Sequence, residues 1–249
     1  MLALLFPGQG SQEVGLGRDA WLASDAARSI FEVADATLGC PLSRLWVAGP
    51  EEELCRTEMQ LPAILTTSIA ILRALEEVTP IAPAFLAGHS LGEYSALVAA
   101  GSLEFESAVA LVHARGRFMQ EAVPEGRGAM AAIVGCGPEE VLAACRAAED
   151  ASGGVVAPAN FNSPSQIVIS GEAAAVELAG KEARRRGAKR AIPLAVSAPF
   201  HCSLMEPAAE KLAGELGRVC FSDARIPVVT NVEAQPNSDG SRMAELLLS

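Results

Sequence analysis

The segment Gly88-His89-Ser90-Leu91-Gly92 sets a serine between two glycines at the spacing of a nucleophile elbow. A short apolar run, 81 to 87, comes before it, and a helix-forming stretch, 93 to 100, follows. In a strand-turn-helix of this kind a side chain at Gly88 or Gly92 would crowd the turn, and the serine hydroxyl is pushed into the open. The helix N-terminus then aims its N–H groups at whatever the serine attacks. The implied chemistry is nucleophilic catalysis through a covalent intermediate. An ordinary glycine turn is the bland alternative.

A serine hydroxyl attacks only when a base takes its proton, and the usual base is histidine. The chain has three histidines, His89, His113 and His201. His89 adjoins the serine and should point away from it along a strand or tight turn. His113 falls in an apolar-periodic helix, where a packing or surface role accounts for it. His201, in Ser197-Ala198-Pro199-Phe200-His201-Cys202, follows a strand-like run and precedes a helix, so a loop can present it to a cleft. It is the candidate base, with a structural imidazole as the alternative; serine before histidine is also the order of the α/β-hydrolases.

An oxyanion hole needs a second donor besides the residue after the nucleophile. Pro7-Gly8-Gln9-Gly10-Ser11-Gln12 follows the apolar run 2 to 6 and offers backbone N–H groups at the C-terminal edge of a sheet. The rival reading as a phosphate loop lacks the Walker lysine, and a turn without function is the third possibility.

The elements that must hold these residues fit a chain of 249 residues, half of them apolar and 4% aromatic. That length buries a sizeable core in one large domain or two small ones. The expected fold class is α/β, a parallel-sheet core with helices. Helices are expected over 21–38, 51–57, 63–77 and 102–121, with residues 60–62 opening the third, and the run 2–6 is expected as a buried strand. From Gly128 the rhythm changes: strand 129–135, helix 138–150, strands 155–161 and 166–170, helix 172–186 and strand 188–196. The order β-α-β-β-α-β is that of a ferredoxin-like unit. Residues 127–197 are therefore expected as a small domain inserted into a large one formed by 1–126 and 198–249. Beyond it a helix is expected over 204–216, a strand over 226–230 and a polar loop over 235–240, with a last helix starting at 241.

Six cysteines are scattered without a C-x-x-C or a Cys/His cluster, which points to reduced thiols and to no metal site. Cys202, beside His201, is expected to pack the start of a helix. The net charge of −11 argues against general nucleic-acid binding. No apolar run reaches the length of a membrane span and the start lacks a charged signal-like region, so a cytoplasmic protein is expected. The one dense basic stretch is 181–190, holding Lys181, Arg184, Arg185, Arg186, Lys189 and Arg190.

Together these pieces resemble the malonyl-CoA:acyl-carrier-protein transacylases of fatty-acid synthesis and the related acyltransferase domains of polyketide synthases. The resemblance runs along the whole chain in five motifs. They are Phe6-Pro7-Gly8-Gln9-Gly10-Ser11-Gln12, Gly88 to Tyr94, Arg115-Gly116-Arg117-Phe118-Met119-Gln120, Asn160-Phe161-Asn162-Ser163-Pro164 and Ala198-Pro199-Phe200-His201. It implies a hydrolase-like large domain with a ferredoxin-like insert.

By that resemblance Ser90 carries the acyl group, His201 is base and then acid, and the N–H groups of Gln9 and Leu91 form the oxyanion hole. Arg115 matches the family arginine that binds the free carboxylate of malonate, whose two oxygens suit a planar guanidinium. Phe200 is similar to the malonyl-selective pattern, in which a ring leaves little room for a methyl on the α-carbon. Asn160 and Asn231 are further candidates near the site. The substrate would be malonyl-CoA, a coenzyme A thioester, with no permanently bound cofactor. The partner would be an acyl carrier protein, acidic as this chain is, so docking needs a local basic surface. Arg184, Arg185, Arg186, Lys189 and Arg190 are the candidates, with Arg117 and Lys211 as lesser ones. Family precedent is a monomer. In the family, a glutamine whose backbone carbonyl orients the histidine is expected in the helix that 243–248 begins, and this sequence stops at Ser249; a shortened C-terminus is therefore expected. A polyketide-pathway acyltransferase, an acyl hydrolase and a non-catalytic module of the same fold are the other readings.

Overall fold

The strand-like runs close into two separate four-stranded sheets. The computed structural model describes residues 1–124 and 126–248. The chain forms two compact units, Met1–Arg117 with Leu212–Ser249, and Phe118–Lys211. In chain order the elements are β1 (Ala3–Phe6), α1 (Arg18–Ala23), α2 (Asp25–Leu38), α3 (Leu42–Ala48), α4 (Glu51–Leu54), α5 (Thr57–Val78), β2 (Phe85–Gly88), α6 (Gly92–Ala99) and α7 (Phe105–Ala122). They continue with β3 (Gly128–Val134), α8 (Pro138–Ser152), β4 (Val156–Ser163), β5 (Gln166–Glu172), α9 (Ala173–Arg185), β6 (Arg190–Pro193), α10 (Glu206–Leu216), β7 (Val228–Val229), β8 (Pro236–Asn237) and α11 (Met243–Leu248).

In the first unit the strand order is β1-β2-β7-β8. β2 pairs in parallel with both β1 and β7, so the ends of those strands arrive together at one edge. The sheet is mixed rather than purely parallel, because β8 pairs antiparallel with β7. β8 falls inside 235–240, expected as a loop. Its two residues pair through backbone groups and carry no alternating apolar pattern to announce them. β1 is an edge strand, and the buried run expected there is only partly buried: Phe6 is covered, whereas Leu5 is 78% exposed.

Helix boundaries shift where capping and burial outweigh local pattern. The stretch 21–38 is two helices, because Ser24 leaves the helical region and its side chain accepts the Ala27 N–H at 3.0 Å. α5 begins at Thr57 rather than near Pro62, which it carries in its interior. Thr57, Gln60 and Leu61 are buried on that first stretch, and their burial offsets the hydrogen bond that proline cannot make. α3 was not expected. Seven residues between Pro41 and Gly49 are too short to show a period, yet Leu42, Leu45 and Trp46 are buried, with Trp46 edge-on to Phe31 at 5.0 Å.

The second unit holds a sheet of order β4-β5-β3-β6, antiparallel throughout. Its core lies between sheet and helices. Val141, Ala144, Cys145 and Ala148 of α8 and Ala175, Val176, Ala179 and Ala183 of α9 recur at helical spacing and meet Ile133, Ile167 and Ile169. Ala and Gly at the α9 contact let the helix lie close to the strands. β6 covers four residues rather than the expected 188–196, and beyond its end Leu194 still donates its N–H to the Met130 carbonyl at 2.9 Å. The stretch 204–216 opens with a 3-10 turn, Ser203–Met205, before α10.

Candidate active site

The elbow is built from the sheet edge of the first unit. β2 ends at Gly88, the His89 N–H donates to the Phe6 carbonyl at 3.1 Å, and α6 starts at Gly92. Between them Ser90 sits at φ +50°, a left-handed conformation unusual for any residue but glycine. The turn is tight enough that a Cβ on Gly88 would overlap the Gly92 backbone, and one on Gly92 would run into the Phe6 carbonyl. Leu91 is wholly buried, and its N–H lies at the start of α6, where backbone donors lack helical partners. The Pro7–Gln9 loop packs on the same turn: a Cβ on Gly8 would strike His89. The Gln9 side-chain amide is already engaged, donating to Gln60 Oε1 at 2.6 Å. Whatever Gln9 does at the elbow therefore falls to its backbone.

Arg115 reaches this turn from α7. Its Nη2 donates to Ser90 Oγ at 3.2 Å, and its guanidinium lies 5.8 Å from the centre of the Tyr94 ring. Nη1 is buried and has no hydrogen-bond partner among the described residues. Next to Arg115, Gly116 lets α7 lie close against the start of α5, since a Cβ there would stand 2.7 Å from the Thr57 carbonyl oxygen. Tyr94 is also buried, and its hydroxyl lacks a hydrogen-bond partner among the described residues; burial raises its pKa, Arg115 lowers it and Glu93 raises it.

Beneath the serine is a pair that the sequence did not single out together. Glu93 is 4% exposed. Its Oε2 accepts from Asn231 Nδ2 at 2.6 Å and from the Asn231 backbone N–H at 3.2 Å. Asn231 in turn accepts the Ser90 N–H on Oδ1 at 2.9 Å and donates from Nδ2 to the Gly88 carbonyl at 2.8 Å. Burial pushes the Glu93 carboxyl up to about 7, against the lowering effect of the Asn231 hydrogen bonds and of Arg115. Only a rule linking positions 138 residues apart could have found this pair in the sequence.

His201 and Phe200 belong to the second unit. His201 is exposed and holds φ +59°, so Ser90 and His201 are two of the three non-glycine residues with positive φ among those described. Phe200, immediately before it, is 5% exposed, and Pro199 packs against Gly128, where no Cβ could fit. Cys202 donates its thiol to the Pro199 carbonyl at 3.1 Å, and burial raises its pKa, so it is held as a thiol within the turn. Asn160 lies on β4 next to an irregularity in the pairing with β5. His113 is partly buried on α7 with its pKa lowered by desolvation, and Glu58 and Arg117 act on it in opposite directions.

Residues 3–247 match the acyl transferase domain family. The chain belongs to that family. This acyl transferase domain is 50% identical over 246 residues to the malonyl CoA-acyl carrier protein transacylase of Escherichia coli (strain K12), covering 99% of the chain and 79% of the relative. It is 51% identical over 247 residues to the enzyme of the same name from Bacillus subtilis (strain 168), covering 99% and 77%. Among solved structures, it superposes with a TM-score of 0.95 and 48% identity on a malonyl-transacylase in complex with its type II PKS acyl-carrier protein, covering 99% and 79%. An acyl carrier protein S-malonyltransferase from Vibrio cholerae gives a TM-score of 0.94 at 47% identity, covering 99% and 80%.

Of the acyl transferase's candidate residues, Ser90, Leu91, Arg115 and Asn231 meet at the elbow, and the Gln9 loop packs beside them. Phe200, His201, Asn160 and the basic stretch lie on the second unit. Among the described residues there is no group of three or more His, Cys, Asp or Glu that could hold a metal ion. None of the described helices is long and apolar enough to cross a membrane.

Proposed function

We propose that this chain transfers a malonyl group from malonyl-CoA to the phosphopantetheine thiol of an acyl carrier protein in fatty-acid biosynthesis, through a malonyl ester on Ser90. The carrying observation is the half-buried Arg115, which touches the Ser90 hydroxyl with one nitrogen while its other terminal nitrogen is buried and has no hydrogen-bond partner among the described residues. A cation so placed is suited to a substrate that brings its own carboxylate. Acetyl-CoA would leave that guanidinium unpaired, and a missing polar partner of this kind can cost as much as about 10⁴-fold in selectivity.

In this reading His201 takes the Ser90 proton as the oxygen attacks the thioester carbon. The negative oxygen is received by the N–H groups of Gln9 and Leu91, each such donor being worth about 2.7 to 4 kcal/mol. The C–S bond breaks, and the coenzyme A sulfur leaves with the proton from His201. The carrier thiol then gives its proton to His201, its sulfur attacks the ester, and Ser90 departs with that proton. Phe200 would restrict branching at the α-carbon, and Asn160 would line the substrate side. The strand-helix order of the second unit supports a ferredoxin-like small domain inserted in a hydrolase-like large one, extending beyond the expected 127–197. A cytoplasmic monomer fits the same reading.

Intact mass after incubation with malonyl-CoA tests it. A malonyl adduct is expected on the parent chain, absent in Ser90→Ala and lost from Arg115→Ala with malonyl-CoA but not gained or lost with acetyl-CoA. Release of free malonate without accumulation would make it a hydrolase, and no reaction would reject the transfer.

A further inference from the structure

A serine at φ +50° is strained, and such a residue persists only where its surroundings over-determine it. The surroundings here are specific. Asn231 holds the chain on both sides of His89, accepting from the Ser90 N–H and donating to the Gly88 carbonyl, at 2.9 and 2.8 Å. Glu93 in turn fixes Asn231, taking one N–H from its side chain and one from its backbone. We propose that Glu93 and Asn231 act as a positioning brace that locks the elbow and so aims the Ser90 hydroxyl.

The fold explains why these two residues can do this. β7 runs parallel to β2, and Asn231 stands two residues past its end, level with the turn that follows β2. Glu93 lies in the first turn of α6, facing inward, where a carboxylate would otherwise be left buried. The brace has a second effect. Because the Ser90 N–H is committed to Asn231, it cannot serve an oxyanion, which leaves the next N–H, that of Leu91, for this purpose. Nothing in the pair needs to touch substrate.

This rests on Ser90 as the nucleophile, and two readouts separate its failure from that of the larger reading. The first is the rate of malonyl loading in a single turnover. Glu93→Ala and Asn231→Ala are each expected to slow loading by about tenfold or more, with less than about a threefold change in the malonyl-CoA concentration giving half-maximal rate. The double variant should be no slower than the worse single one, as for residues acting as a unit. Glu93→Gln, which keeps an oxygen acceptor for Asn231, should recover to within about threefold of the parent. The second readout is hydrogen exchange across residues 86–94, expected to rise in Asn231→Ala while peptides of α8 and α9 keep their protection. If an alanine variant fails to fold, Asn231→Ser and Glu93→Gln decide by the same criteria. Additive losses, a Glu93→Gln as slow as Glu93→Ala, or unchanged exchange at the elbow would each overturn the brace. A parent chain that takes up no malonyl would overturn the transfer reading instead, with the exchange result still deciding the brace.

Discussion

Glu93 carries a charge question into an almost dry place. Its carboxyl is pushed up to about 7 chiefly by burial, and the groups that face it, Asn231 and Arg115, pull the other way without cancelling the shift. Tyr94, its neighbour on α6, is buried as well. The folded chain therefore holds this proton more tightly than the unfolded chain, whose value lies near 4.5. The stabilising contribution is fully present below that value and is lost as pH rises through about 7. A shift of this size corresponds to a contribution on the order of 3 kcal/mol. Urea unfolding of the parent and of Glu93→Gln at pH 5 and pH 8 should show the parent losing more stability across the interval, with the substitution removing that part of the slope. Equal slopes would mean that Glu93 titrates as it does in water. His113, with its pKa lowered, contributes stability that is lost as pH falls, so the comparison with the variant isolates the carboxyl.

At the level of elements, two glycines in helices have opposite meanings. Gly92 opens α6 against β1, and a Cβ there meets the Phe6 carbonyl, which belongs to backbone and cannot swing aside. Gly214 lies exposed in α10, with no described atom outside its own helix backbone and chain neighbours within 4 Å of an added Cβ. Gly92→Ala is expected to destabilise by about 1 to 3 kcal/mol or more and to abolish loading of Ser90. Gly214→Ala should stabilise by about 0.5 to 1 kcal/mol, because alanine fits a helix better than glycine. Equilibrium unfolding measures both; a neutral Gly92→Ala would show that the elbow can open. The same contrast explains which elements were legible. α8, α9, β3 and β5 each carry recurring apolar residues over seven or more positions and stand close to where the sequence puts them, as does the elbow, whereas β6 shrinks to four residues. α3 and β8 are too short for any period. The start of α5 was hidden by Pro62, since burial of Thr57 and Leu61 is a tertiary fact and proline a local one. At the site, Ser90, Arg115 and the Gln9 loop each carry a local motif. The tie between Glu93 and Asn231 exists only once β7 pairs with β2, and Asn231 could be named as a candidate without its partner or its task.

For the whole molecule the question raised by the proposed function is how a chain of net charge −11 would receive a carrier protein that the family resemblance implies to be acidic. Like charges at long range slow encounter, so a local surface of opposite sign must outweigh them within a Debye length, about 10 Å at 0.1 M salt. Six of the nineteen basic residues fall between 181 and 190, on the last turns of α9 and the start of β6, and all six are exposed. They are not all idle. Arg185 and Arg186 pair with Glu182 at 3.1 and 3.6 Å, and Arg184 donates to the Ala191 carbonyl at 2.9 Å. Exposed pairs of this kind are worth no more than about 1 kcal/mol, so an anionic partner can exchange them at little cost. Replacing Arg185, Arg186 and Arg190 together by glutamate should therefore raise KM for the carrier protein by about tenfold at low salt, with KM for malonyl-CoA within about twofold of the parent. The difference should shrink as salt approaches about 0.5 M, where charges this exposed are screened. Equal changes in the two constants, or a carrier KM that does not move, would shift docking away from α9 and leave Arg117 and Lys211 to be tested. Lys211 enters that test already paired with Glu121 at 2.7 Å and lying over the Phe118 ring, so it has less freedom to answer a partner.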